Sequence, residues 1–433
     1  MGPLTRSTTD PAVPPAGTPR SPRRARLYPW IVFLLAFGLL LSDYMSRQVL
    51  SAVFPLLKAE WSLSDTDLAS LTSVVALTVG LLTFPLSVLA DRWGRVRSMV
   101  LMGVLWSVAT LLCAVATGYG QMLGARFLLG VGEAAYGSAG IALVLGVFAA
   151  RRHGALGGAF MAGGSFGSVL GVALGGFLAV HLGWRWSFVV MAAFGLVLVI
   201  LFRAVVTESR LARHAPEPAP DRVAAVPRAP ISSLFTVPPV WCAYIGSGLQ
   251  MFTAAVLLSW TPSYFNRYYD LAPDKAGGVA ALFVLLVGSG MVVCGALADR
   301  VGRARPRRRW TASIAFCAVS LGSLVVGFQL DNGPVQLALI AVGSFFAGGS
   351  SGPVAALVAG HTPSSVRASA MGTLTVANNL LGLALGPFVV GVLADHLGLR
   401  EALALAPFVY LGAIAAFVLG RYLHRPIPTT VSR

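Results

Sequence analysis

Four ionisable side chains stand inside stretches otherwise too apolar to hold charge: Asp43 and Arg47 in one, Arg126 and Glu133 in another. An ion at the centre of a bilayer costs at least ~2.5–3.5 kcal/mol on insertion scales, so such residues mark proton paths, ion paths or the counter-charge of a ligand. Two acids and two bases sum to zero, which lets them enter a low-dielectric interior as pairs. Asp43 and Arg47 are one helical turn apart, while Arg126 and Glu133 are two turns apart on one stripe that Tyr136 extends. Burial favours a protonated carboxyl and a neighbouring guanidinium favours the ionised one. A Glu133 held by Arg126 is therefore predicted to release or take up a proton as substrate or water reaches the arginine. The competing reading is a static set of pairs that fixes helix packing. A guanidinium suits carboxylate and phosphate alike, so Arg126 is open both to anchoring an anion and to guarding Glu133.

The elements that must position these groups are membrane helices. The chain has 433 residues, 56% hydrophobic and only 11% charged, with a mean hydropathy of +0.77, which excludes a soluble globule. A span needs about 20 mostly apolar residues. Twelve such runs are predicted at 28–57, 67–90, 98–117, 121–149, 154–180, 185–206, 239–268, 276–298, 310–329, 334–360, 366–394 and 399–423. The first is too long for the apolar core of a signal peptide and is expected to remain as a span. A basic Pro-rich arm (1–27) precedes a first six-helix bundle (28–206), a Pro- and Arg-rich linker (207–238), a second bundle (239–423) and a short tail (424–433).

Most lysines and arginines fall on the arm, the 91–97 and 299–309 loops, the linker and the tail, so both termini are expected in the cytoplasm. The net charge of +16 is spread over these short loops instead of forming one stripe, which speaks for topology and anionic lipid and against nucleic acid. Cys113, Cys242, Cys294 and Cys317 lie singly in spans and read as packing residues. His153, His181, His361 and His396 are too scattered for a metal site, and no catalytic constellation is evident, so neither a metal nor an enzyme is expected. No phosphate-cradling Gly-x-x-x-x-Gly-Lys-Ser/Thr segment occurs, so neither ATP nor another cofactor is expected.

The halves repeat. Leu89-Ala90-Asp91-Arg92-Trp93-Gly94-Arg95 returns as Leu297-Ala298-Asp299-Arg300-Val301-Gly302-Arg303, and Val172 to Phe177 returns as Leu383 to Phe388. Six plus six spans with this Asp-Arg-x-Gly-Arg loop resemble the major facilitator superfamily of transporters, over residues 28–423. The resemblance implies an all-α fold of two pseudo-symmetric six-helix bundles. It also implies a gate latch at Asp91, Arg92, Gly94 and Arg95, with simple positive-inside anchoring as the alternative for the arginines. Gly130 to Tyr136, with Arg126 ahead, is similar to the fourth span of spinster-like transporters and of the sugar-acid and organic-anion symporters. Those groups carry an Asp-Arg pair late in the first span, preceded by Asn-Tyr and a hydrophobic residue. This chain reads Asp43-Tyr44-Met45-Ser46-Arg47, with Ser46 at the usual acid position and Asp43 one turn earlier.

The resemblance implies a secondary transporter working by alternating access, with Asp43, Arg47, Arg126 and Glu133 coupling protons to substrate. The substrate is expected to be a small organic anion or an amphiphile such as a lysolipid. The alternatives are a sugar-acid or organic-anion:proton symporter, multidrug efflux, or a non-transporting sensor. Candidate lining residues are Tyr44, Arg47, Arg126 and Tyr136 in the first half, and Gln250, Trp260, Tyr264, Asn378 and Asn379 in the second. Buried amides want hydrogen-bond partners, although helix-to-helix bridging accounts for them equally well. Partners are expected to be the substrate, protons and the lipids of a plasma membrane, with the protein a monomer.

Overall fold

In the computed structural model the residues described are 22–148, 152–213, 237–303, 305–363 and 366–424. The arm up to residue 21, linker residues 214–236 and the tail beyond residue 424 lie outside them. Among the described residues every regular element is helical, and twelve segments are long and apolar enough to cross a membrane. They match the expected runs to within a few residues, because helix is the single-segment structure that satisfies every backbone N–H and C=O where no water reaches.

In the first half α1 is Pro22–Trp61, α2 Asp65–Trp93 and α3 Arg95–Val115. The fourth span is two helices, α4 (Tyr119–Glu133) and α5 (Tyr136–Val147); α6 (His153–His181) and α7 (Trp184–Val205) follow, with a short α8 at Glu208–Ala212. The second half has α9 (Pro238–Tyr268), α10 (Pro273–Gly302) and α11 (Arg308–Gln329). Its tenth span is again two helices, α12 (Pro334–Ala347) and α13 (Ser351–His361). The eleventh runs through α14 (Arg367–Ala377), a π-helical stretch at Asn378–Ala384 and α15 (Leu385–Leu397), and α16 (Leu399–Leu405) leads into α17 (Val409–Leu423).

Spans four and ten are thus broken at corresponding places, at Ala134–Ala135 and at Gly348–Ser350. A break frees carbonyls that a membrane interior cannot leave unpaired. At the second break the Ala347 carbonyl accepts from Gln250 Nε2 at 2.5 Å and from Tyr410 OH at 3.3 Å.

The halves meet through small residues and at one end. α6 packs on α10 where a Cβ at Gly176 would stand 2.7 Å from the Pro273 carbonyl oxygen. α15 crosses α2 at Gly391, where a Cβ would stand 2.5 Å from that of Ala69. One buried apolar cluster draws on both halves near this end, with Phe54, Trp184, Trp260 and Phe265 among its members. At the other end α5 packs on helices of its own half and α13 on helices of its own half. Contacts between the halves are densest toward the loops near residues 58–67, 267–274 and 391–400, the closed end, and sparser toward the 91–97 and 299–309 loops, the open end, where α14 still meets α2.

The tightest helix crossing falls within the second half. A Cβ at Gly290 would lie 1.6 Å from the Phe345 carbonyl oxygen. Gly290→Ala is expected to cost ~3 kcal/mol or more, the upper range of overpacking, and to abolish the monodisperse peak in fluorescence-detected size-exclusion chromatography.

Candidate functional site

α1 and α4 bring the four charged groups to the middle of the first half, but not in the expected pairs. Glu133 does not pair with Arg126. Its Oε2 lies 3.6 Å from Arg47 Nη1, with both side chains largely buried. Arg126 is fully buried and is held by backbone: Nε donates to the Leu71 carbonyl at 3.2 Å, Nη1 to Ser46 at 3.1 Å and Nη2 to Arg47 at 3.1 Å. The reason is reach and geometry. A planar guanidinium with donors on three nitrogens fits the carbonyl edges of two neighbouring helices at once, whereas a carboxylate two turns away occupies one direction only. Arg126 therefore bolts α4 to α1 and α2, and Arg47 is the cation that faces the Glu133 carboxylate.

Glu133 is the last residue of α4, where the helix breaks. Tyr136 opens α5 just beyond the break. Its ring is fully buried, edge-on to Trp106 at 4.9 Å, and its hydroxyl donates to the Ala36 carbonyl at 2.8 Å. Asp43, one turn before Arg47, is buried, close enough to Glu133 for the two carboxyls to interact. Asp43 Oδ1 and Glu133 Oε1 are buried and receive no bond from a fixed donor. Two carboxyls and the Arg47 guanidinium thus share one low-dielectric spot. Tyr44 is half-buried beside them, its ring against Gly164 and its Cβ against Gly167 of α6.

The second-half candidates divide. Trp260 and Tyr264 lie toward the closed end: the Trp260 indole donates to the Pro387 carbonyl at 3.2 Å, and the Tyr264 hydroxyl accepts from Gln336 at 3.0 Å. Gln250 spends its amide N–H on Ala347, leaving Oε1 unpaired. Asn378 and Asn379 open the π-helical stretch, a feature frequent at functional positions. Asn379 is buried with Nδ2 bonded back to the Thr375 carbonyl, and a Cβ at Gly80 of α2 would meet its Cβ at 3.2 Å. Asn378 is only half-buried, and its Oδ1 has no partner.

In the 91–97 loop, Gly94 takes φ +93°, open to glycine and strained for other residues. The side chain of Asp91 lies outside the described residues, and Arg92 is exposed. Arg95 makes one long contact of 3.4 Å to the Ala142 carbonyl. The carboxylate that meets the start of α3 is Glu208 of α8, whose Oε1 accepts from the Val96 N–H at 3.1 Å. In the repeat copy Asp299 pairs with Arg309, inside its own half.

The closed end carries an ionic clamp that the residue pattern did not single out. Asp65 at the start of α2 accepts from both Arg267 guanidinium nitrogens at 2.8 and 2.5 Å, and from Lys58 at 2.6 Å. Asp395 of the second half caps α2 in return, taking the Asp65 N–H at 2.7 Å and the Thr66 N–H at 2.9 Å. The sequence did contain one signal. Ser64-Asp65-Thr66-Asp67 is a capping box that starts α2 and leaves Asp65 free to reach outward.

Two measurements follow from this geometry. Arg126→Gln strips charged donors from three buried carbonyls, at ~1.5–3 kcal/mol for each bond not remade. It is expected to lower the melting temperature of purified protein well beyond the effect of Arg47→Gln. Arg267→Gln breaks the bidentate arm of the clamp, so a cysteine placed at Ala69 is expected to react several-fold faster with a membrane-impermeant maleimide than in the unaltered clamp.

Comparison with known proteins agrees with this architecture. The chain is 28% identical over 379 residues to a protein of Cupriavidus pinatubonensis described as a probable 4-methylmuconolactone transporter, covering 83% of each chain. It is 27% identical to a probable L-galactonate transporter of Escherichia coli, covering 90% of this chain and 88% of that one. Its fold superposes with a TM-score of 0.81 on the crystal structure of a bacterial homolog of the human lysosomal transporter Spinster, in an inward-facing, unoccupied conformation, at 17% identity over 93% of this chain and 99% of that one. Residues 35–387 match the signature of the Major Facilitator Superfamily, and the chain belongs to that family of membrane transporters.

Proposed function

We propose that this protein is a secondary transporter that moves a small organic acid together with a proton by alternating access. The observation that carries the reading is the buried triad, with Arg47 3.6 Å from Glu133 and the buried Asp43 one helical turn before Arg47. Two neighbouring buried carboxylates repel, and one proton on either removes the repulsion. A proton on Glu133 releases Arg47, which then offers a forked, charge-assisted site to a substrate carboxylate. Loss of the proton returns Arg47 to Glu133 and expels the anion. Counting Arg126, the four groups are neutral before binding, and they stay neutral when one proton and one monoanion enter together. A 1:1 stoichiometry is therefore the one that keeps the buried site free of uncompensated charge.

The relatives named for a muconolactone and for galactonate support a small carboxylate or lactone over a lysolipid. On this reading the half-buried Asn378, with its unpaired Oδ1, takes a substrate hydroxyl from the second half. The arginines of the 91–97 and 299–309 loops support placing the open end in the cytoplasm of a plasma membrane.

In proteoliposomes screened with galactonate, hydroxyphenyl acids and muconolactones, an imposed pH gradient is expected to drive uptake of one class. Glu133→Gln with Asp43→Asn is expected to abolish gradient-driven uptake while sparing substrate exchange, and Arg47→Gln to abolish both. Unchanged gradient-driven uptake in the first variant overturns proton coupling through this triad.

A further inference from the structure

We infer that the open end of the first half carries a discrete site for the phosphodiester headgroup of one anionic phospholipid, built by Arg92, Trp93, Arg97 and Leu101. These four line a cleft of about 450 Å³ where α2 ends and α3 begins. The Gly94 turn at φ +93° reverses the chain and sets the two helix ends face to face.

The cations in this cleft are uncommitted. Among the described residues neither Arg92 nor Arg97 has a hydrogen-bond or ion-pair partner, whereas Arg95 between them and Arg307 and Arg309 of the 299–309 loop region do. Arg95 reaches the Ala142 carbonyl, Arg309 pairs with Asp299, and Arg307 donates to the Arg421 carbonyl at 3.0 Å. Two free guanidiniums across one cleft match the oxygens of a phosphodiester, each supplying parallel N–H donors.

The rest of the cleft says what carries the phosphate. Trp93 and Leu101 are each 52% exposed, so the cleft presents apolar surface beside its charge. Leu101 follows Arg97 by one helical turn, ~6 Å further along α3 into the span. Charge at the rim with apolar surface one turn deeper is the polarity profile of a lipid entering headgroup last. Trp93 at the boundary is the side chain that interfaces favour. A soluble phosphate would gain from the arginines but nothing from Leu101.

The test is saturable binding of dioleoylphosphatidylglycerol to the full-length protein in dodecyl maltoside, counted by native mass spectrometry and repeated with dioleoylphosphatidylcholine. One tightly retained phosphatidylglycerol per protein is expected. Arg92→Gln with Arg97→Gln is expected to weaken it about thirtyfold, from ~1 kcal/mol for each arginine near the surface at tenfold per 1.4 kcal/mol. Arg300→Gln with Arg308→Gln removes the same charge from the corresponding end of the second half and is expected to change binding less than about twofold. Equal weakening by both double variants would mean diffuse attraction and overturn the site. So would equal retention of phosphatidylcholine, absence of saturable phosphatidylglycerol binding, or displacement of the lipid by millimolar inorganic phosphate.

Discussion

A charge inside a bilayer must be met by an opposite charge or by oriented dipoles, and this protein uses both solutions within a few residues of each other. Arg126 is met by three backbone carbonyls of α1 and α2. Arg47 is met by Glu133. Backbone dipoles cannot leave, so Arg126 is a fixed part of the bundle. A carboxylate can be neutralised by a proton, so the Arg47 pair is exchangeable. The same residue type thus serves as scaffold at one position and, in the proposed cycle, as the moving part at the other.

The breaks in spans four and ten follow from the same constraint. Each interrupts a helix at mid-span, where freed backbone groups need partners. In the second half Gln250 and Tyr410 close on the Ala347 carbonyl. In the first, the break follows directly on Glu133, so the helix end delivers an acid to the centre of the bundle. Charge is concentrated in one half, and the other supplies amides and shape.

The contact between the halves separates sliding surfaces from locks. Where α6 meets α10, glycines bring backbone against backbone, with no bulky side chain to unseat. The ionic clamp of Asp65, Arg267, Lys58 and Asp395 joins the halves around a buried Asp65 carboxylate. In the proposed cycle a buried carboxylate held by two cations is a lock, since removing one partner leaves charge uncompensated.

Twelve spans, their ends, the division into halves and the identity of the central ions were legible in the residues alone, because the bilayer imposes span length and penalises charge whatever the tertiary packing. The capping box at Ser64 was equally local. The partner of each central ion was not legible. Spacing placed Arg126 and Glu133 on one helical stripe, yet a break at Ala134 and carbonyls from two other helices decided that Arg47 would hold Glu133. Asp65 and Asp395 found their partners in the opposite half. Helix periodicity acts within a segment, so the chain by itself determined which groups enter the membrane. Only the packing of one segment on another decided which group each would meet.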